Sequence, residues 1–219
     1  MPMIRSLDTL RSYRLRATDG SVGKIADLYF DDHAWIVRYV IVDTGGWLIG
    51  RAVLISPSAL GAPDDAAQEF PVALTRERIE NAPGIDDAKP VDRQQELGLA
   101  EHFGWPAWRH TVDGLPQEVT RKQSAEGDPN LRSAADVVGY VIAALDGEIG
   151  SVSGLLVETT DWSVQALTVD TGEWLSGRQV MLSPERVKHI NWAERRVEID
   201  LSTEQVRNSP SYDGEAPAS

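Results

Sequence analysis

Asp43-Thr44-Gly45-Gly46-Trp47-Leu48-Ile49-Gly50-Arg51 returns later in the chain as Asp170-Thr171-Gly172-Glu173-Trp174-Leu175-Ser176-Gly177-Arg178, 127 residues on. The same offset relates Asp19-Gly20-Ser21-Val22-Gly23 to Asp146-Gly147-Glu148-Ile149-Gly150, and Ser56-Pro57 to Ser183-Pro184. Between 19–60 and 146–187, 17 of 42 positions are identical, with no gap. Farther out, Ile4-Arg5-Ser6 matches Leu131-Arg132-Ser133, Tyr13 matches Tyr140, and Asn81-Ala82-Pro83 matches Asn208-Ser209-Pro210. An ungapped match of this length marks two copies of one unit of about 80 residues joined by a linker.

The unit reads as β. Tyr13–Thr18 predicts a short strand and Asp19-Gly20 a turn. Val22–Phe30 is the next run. Trp35–Asp43 and its copy Trp162–Asp170 are rich in residues that fit a pleated surface. Their bulky positions lose the period of two between Val37/Val164 and Val40/Leu167, which predicts a bulge or burial on both faces. Ala52–Ile55 and Gln179–Leu182 are short strands closed by Ser-Pro. Phe70–Leu74 and Arg196–Leu201 end each unit, and a short helix follows. Ser202-Thr203-Glu204-Gln205 has capping-box spacing, whereas Thr75 has Arg78 where the Glu or Gln belongs. The fold class expected is all-β with minor helix: two small barrels in tandem, joined by a partly helical linker. The domains are 1–86, a linker 87–130, 131–211, and a fraying tail 212–219. Within the linker, Asp92-Arg93-Gln94-Gln95 caps a helix running to about Phe103. Gly104-Trp105-Pro106-Ala107-Trp108 then reads as a strap docked on a barrel, or else as a partner-facing epitope.

Composition excludes several chemistries. The chain of 219 residues has no cysteine, so disulfides, thiolate metal sites and cysteine nucleophiles are absent. Its formal charge is −13, which repels a phosphate backbone, so direct nucleic-acid binding is not expected. By segment the charge is −3 for 1–86, −3 for 87–130 and −7 for 131–219, making the second copy the more acidic. No stretch approaches the roughly 18 apolar residues of a membrane span. The expected setting is cytoplasmic.

A DG-x-[VI]-G turn, a nine-residue strand, a VDTG-x-WL-x-GR segment and a closing V-x-x-SP strand resemble the PRC-barrel family. The resemblance covers residues 4–84 and 131–211. That family includes the cytoplasmic domain of the photosynthetic reaction-centre H subunit and the C-terminal domain of a ribosome-maturation factor. Asp92-Arg93-Gln94-Gln95-Glu96 and Gly104-Trp105-Pro106 are similar to the spacer of tandem PRC-barrel proteins of bacteria. The resemblance implies a non-enzymatic scaffold or adaptor for protein partners. It also implies two alternatives: a ribosome-assembly accessory that grips a basic ribosomal protein, and a peripheral factor of a photosynthetic or membrane complex. A homo-oligomer is compatible with all three.

Candidate chemistry is sparse. Asp-Thr-Gly also occurs at the catalytic aspartates of aspartic proteases, but those enzymes need a longer chain around a cleft. Here Asp43, Thr44 and Gly45, like Asp170, Thr171 and Gly172, read as turn-formers, the Asp bonding nearby amides and the Gly taking positive φ. Trp47 and Trp174 are expected to cover a barrel end, with Gly50 and Gly177 allowing the chain to reverse. Arg51 and Arg178 are expected to pair with Asp43 and Asp170, or else to grip an anionic partner group. Trp105 and Trp108 do not repeat between copies and are the better contact candidates. His102 and His110 lack a metal-ligand spacing, Ser56 and Ser183 lack a nucleophile elbow, and no phosphate loop occurs. No cofactor, metal or catalytic residue is expected.

Overall fold

The structure is a computed structural model and describes residues 3–46, 48, 51–82, 93–105, 111–112, 115–116, 130–172 and 177–214. The chain begins with β1 (Ile4–Ser6) and α1 (Leu7–Arg11), followed by β2 (Arg14–Ala17), β3 (Gly20–Asp31), β4 (Ile36–Asp43), β5 (Ala52–Ile55) and β6 (Glu69–Pro71). Helices α2 (Arg76–Glu80) and α3 (Arg93–Phe103) come next, then a small hairpin of β7 (Thr111–Val112) and β8 (Leu115–Pro116). The rest is β9 (Leu131–Ser133), α4 (Ala134–Val137), β10 (Val141–Ala144), β11 (Gly147–Glu158), β12 (Val164–Asp170), β13 (Gln179–Leu182), β14 (Val187–Asn191), β15 (Arg196–Ile199) and α5 (Thr203–Arg207). The protein is all-β with minor helix. Strands β5 and β13 coincide with the runs expected from sequence, and α3 ends at Phe103 as expected.

Contacts divide the chain into two compact units whose limits differ from those of the repeats. One holds 1–12, 27–38 and 132–219; the other holds 13–26 and 39–131. Strands β3 and β4 each pass from one to the other.

In the first unit the strand order is β13-β12-β11-β10-β15-β14, with β1 added to β11. Among the described residues this order is open, ending at β13 and β14. Strands β10 and β15 run parallel, and the other pairs are antiparallel. The expected bulge is present. Leu156 faces Ala166 and Val157 faces Val164, leaving Gln165 as the extra residue. Burial on both faces also occurs, since Ala166, Leu167, Thr168 and Val169 are all buried in succession. One expectation is corrected: Trp35 and Trp162 do not start strands. Both lie just before, Trp35 in a turn and Trp162 directly after one, at φ 55° and 61°. Each strand begins one or two residues later.

Strand β1 supplies an edge that lies far away in sequence. Ile4, Arg5 and Ser6 face Glu158, Val157 and Leu156. Reciprocally, β9 pairs with β3. Ile36 bridges Ser163, with Val37 N–H donating to the Trp162 carbonyl at 2.8 Å and Val164 N–H to the Trp35 carbonyl at 2.7 Å. Residues 36 and 163 are the same position in the two copies, so the bridge pairs that position with its own equivalent. Leu7 and Leu10 of α1 are buried.

In the second unit the order is β5-β4-β3-β2-β6, with β2 and β6 parallel. Its core includes Leu15, Val22, Ile25, Val40, Leu54, Ile55 and Phe70. Thr75 caps α2 by accepting from Arg78 N–H without a reciprocal side chain. Ser202 and Gln205 form the full capping box on α5. Helix α3 buries Leu99 and Phe103. It is tied down where the Tyr39 hydroxyl donates to buried Glu96 Oε1 at 3.2 Å, and where Arg78 Nη2 donates to the His102 carbonyl at 3.2 Å. The Trp105 ring stacks on Phe103 with centroids 4.2 Å apart.

Candidate functional site

The repeated loop builds the same local structure twice. Asp43 Oδ1 accepts from Gly45 N–H at 2.8 Å, and Asp170 Oδ1 from Gly172 N–H at 2.8 Å. Gly45 and Gly172 take φ 60° and 56°, a region that favours glycine. Thr44 Oγ1 donates to the carbonyls of Leu48 and Arg51, each at 3.2 Å, and Thr171 Oγ1 donates to that of Arg178 at 2.5 Å. Gly177, at φ 76°, donates its N–H to the Gly172 carbonyl at 2.6 Å. Each aspartate thus caps its own turn.

The arginines depart from expectation. Arg51 Nη1 donates to the Glu80 carbonyl at 3.0 Å and Nη2 to that of Ala82. Arg178 Nη1 donates to the Arg207 carbonyl at 3.1 Å, Nη2 to that of Ser209 at 2.9 Å, and Nε to Ser211 Oγ at 2.9 Å. Glu80 and Arg207 are the last residues of α2 and α5. A helix leaves its final carbonyls without intrahelical donors, and the planar guanidinium reaches the last of them together with the carbonyl two residues beyond the helix. The arginines latch the closing helix of each repeat; Asp43 and Asp170 are not their partners. Trp47, Gly50, Trp108 and Trp174 lie outside the described residues. Trp105 is half-buried and stacks on Phe103.

An open pocket of about 300 Å³ lies beside the first of these loops, in the second unit, lined by Arg14, Ser21, Lys24 and residues 43–45. Arg14 and Lys24 are directly opposite each other on β2 and β3, and both are exposed. At the equivalent positions of the other repeat, Val141 faces Ser151. Ser21 is replaced there by Glu148, which pairs with Arg196. The two cations therefore belong to one repeat only. Sequence reasoning overlooked them by following what the copies share; their signal was a mismatch at the common offset.

Other ionisable groups serve the junction within the first unit. Asp27 accepts from Ser133 Oγ at 2.5 Å and from Ala135 N–H at 3.0 Å, with Arg11 at 3.8 Å. Burial raises its carboxyl above the ordinary range despite those partners. Asp32 accepts from Arg132 Nε at 3.2 Å and Trp192 Nε1 at 3.3 Å, and burial raises it as well. Asp31 and Arg38 form a buried pair at 3.4 Å. Glu158 goes the other way. Burial opposes its ionisation, but hydrogen bonds from Met3 and Thr160 outweigh that and lower it. Among the described residues, no three metal-ligating side chains come together. Comparison with family models and with curated proteins finds no match.

Proposed function

We propose that the chain is a non-enzymatic scaffold or adaptor, built on two tandem PRC-type β-barrels, that binds protein partners. The observation that carries this reading is that the described Asp, Thr and Arg side chains of the repeated loop bond to the fold itself, in parallel, in both copies. Asp43, Thr44 and Arg51 bond to backbone groups, as do Asp170, Thr171 and Arg178. A motif engaged in this way holds a shape and leaves recognition to the surface around it. The barrel reading draws support from how each repeat returns on itself. The second and last strands of each repeat pair in parallel, β2 with β6 and β10 with β15. In one repeat Leu60, just after β5, bridges Val72, just after β6. In the other, β13 leads into β14 through a single 3-10 turn at Pro184–Arg186.

Affinity capture with the full chain from native lysate tests the proposal. A protein recovered in near-stoichiometric amount, and depleted when untagged chain competes, is the expected result. Recovery dominated by ribosomal proteins would favour the ribosome-assembly alternative, and retention with membranes the membrane-complex one. No helix among the described residues is long and apolar enough to cross a membrane. Capture of nothing above an unrelated control would overturn the scaffold reading.

A further inference from the structure

We propose that the pocket of the first repeat receives a carboxylate side chain from an acidic peptide segment, held between Arg14 and Lys24. This rests on the reading of the chain as a protein-binding scaffold and names the chemistry of the segment bound. Three observations carry it. First, Arg14 and Lys24 are cross-strand neighbours, and like charges directly opposite each other destabilise a sheet. Nothing in the fold calls for that repulsion, because the other repeat makes the same pairing with Val141 and Ser151. Second, among the described residues neither cation has an ion-pair partner, although the chain carries 34 acidic residues against 21 basic ones. Asp43 lines the same pocket, but one of its oxygens already accepts from Gly45 N–H. Within the pocket two cations thus meet one partly occupied carboxylate, while Glu69, opposite Arg14 on β6, pairs with Arg16. Third, a volume of about 300 Å³ has room for a side chain and its backbone, where a bare ion would leave it largely empty. Arginine and lysine on adjacent strands suit a carboxylate, the guanidinium binding two oxygens and the ammonium adding a point charge.

The test uses the full chain and a double variant, Arg14→Val with Lys24→Ser, which carries the residues found at the same positions in the other repeat. Three probes are titrated against each: a short Glu-rich peptide, its Gln counterpart, and inorganic phosphate. The Glu-rich peptide should bind the wild-type chain, weaken by about tenfold or more in the variant, and weaken as salt rises. The Gln peptide should not bind. The variant should melt at or above the wild-type temperature, since it removes a repulsion. Equal binding of the Glu-rich peptide by both proteins would overturn the proposal, as would equal binding of the two peptides. Phosphate binding without peptide binding would also overturn it, marking a small-anion site. Should the variant melt lower, the single substitutions Arg14→Gln and Lys24→Gln repeat the comparison in folded protein. A wild-type chain that captures its protein partner yet ignores the Glu-rich peptide would sink the pocket proposal alone. Failure of both would sink the scaffold reading with it.

Discussion

A methyl group on Gly23 would overlap the Asp43 carbonyl oxygen, and one on Gly150 the Asp170 carbonyl oxygen. Backbone has no room to yield as a flexible side chain would. Gly150 also sits at φ 127°, where other residues are strained. Gly46 has open space around it and no positive φ. In thermal melts, Gly23→Ala should cost about 1–3 kcal/mol and Gly150→Ala more, while Gly46→Ala stays within about 0.5 kcal/mol. The repeated DG-x-[VI]-G pattern was legible as a turn, but only its first glycine serves that role. The second allows β3 or β11 to approach the end of the neighbouring strand, a contact between residues far apart in sequence. Trp35 and Trp162 were legible as repeated bulk and misplaced as strand starts, since composition does not report the sign of φ. Gln68 and Arg195 carry no such signal in their residue types. They share one repeat position and left-handed φ values of 52° and 51°, yet not one side chain.

At the scale of elements, the short helices closing the repeats are held by the arginine latches. Arg51→Ala should cost about 1.5–3 kcal/mol, the range for hydrogen bonds that involve a charged group. Arg51→Lys should recover little of it, because an ammonium cannot span the Glu80 and Ala82 carbonyls in one plane. The loss should change little with salt, because the acceptors are neutral main-chain groups. The Asp43 ion pair expected from sequence would instead have been screened. Hydrogen exchange at Ile79 in α2 reads the same event locally and should accelerate in both variants. The arginines were visible as repeated residues. Their acceptors were not, because every carbonyl looks alike in a sequence. Helix α3 was legible from its capping signal and its aromatic end. Its anchor, Tyr39 to Glu96, joins two residues that nothing in the linker singles out.

Across the whole molecule, a charge of −13 and a pI near 4.7 place self-repulsion on the fold at neutral pH. Buried carboxyls add to that dependence. Asp27 and Asp32 hold their protons more tightly when folded than unfolded. They therefore disfavour the fold above their folded pKa values and cease to do so as pH falls through them. Asp146, Glu158 and Asp161 are lowered by hydrogen bonds. Their stabilisation is present at neutral pH and is lost as pH falls through their folded values, below the usual carboxylate range. The melting temperature should rise as pH falls from neutrality toward the usual carboxylate range, and fall once pH drops below that range. A variant carrying Asp27→Asn and Asp32→Asn should show a flatter rise on the alkaline side and an unchanged acid limb. Equal slopes in variant and wild type would assign the rise to net charge alone.

What the sequence determined by itself was periodic or local: the offset of 127, the strand runs, the bulge where the alternation slips, the capping box at Ser202 and the Asx turns at Asp43 and Asp170. Each follows from neighbours along the chain, where residue type and spacing restrict the backbone directly. Tertiary structure alone decided the addition of β1 to β11, the parallel closing pairs, the carbonyl targets of Arg51 and Arg178, and the meeting of Arg14 with Lys24 beside the Asp43 loop. In those cases the partners are chosen by strand register and by which edges and helix ends remain unpaired. Main-chain donors and acceptors are chemically identical at nearly every residue, so the choice among them appears only once the whole chain has folded.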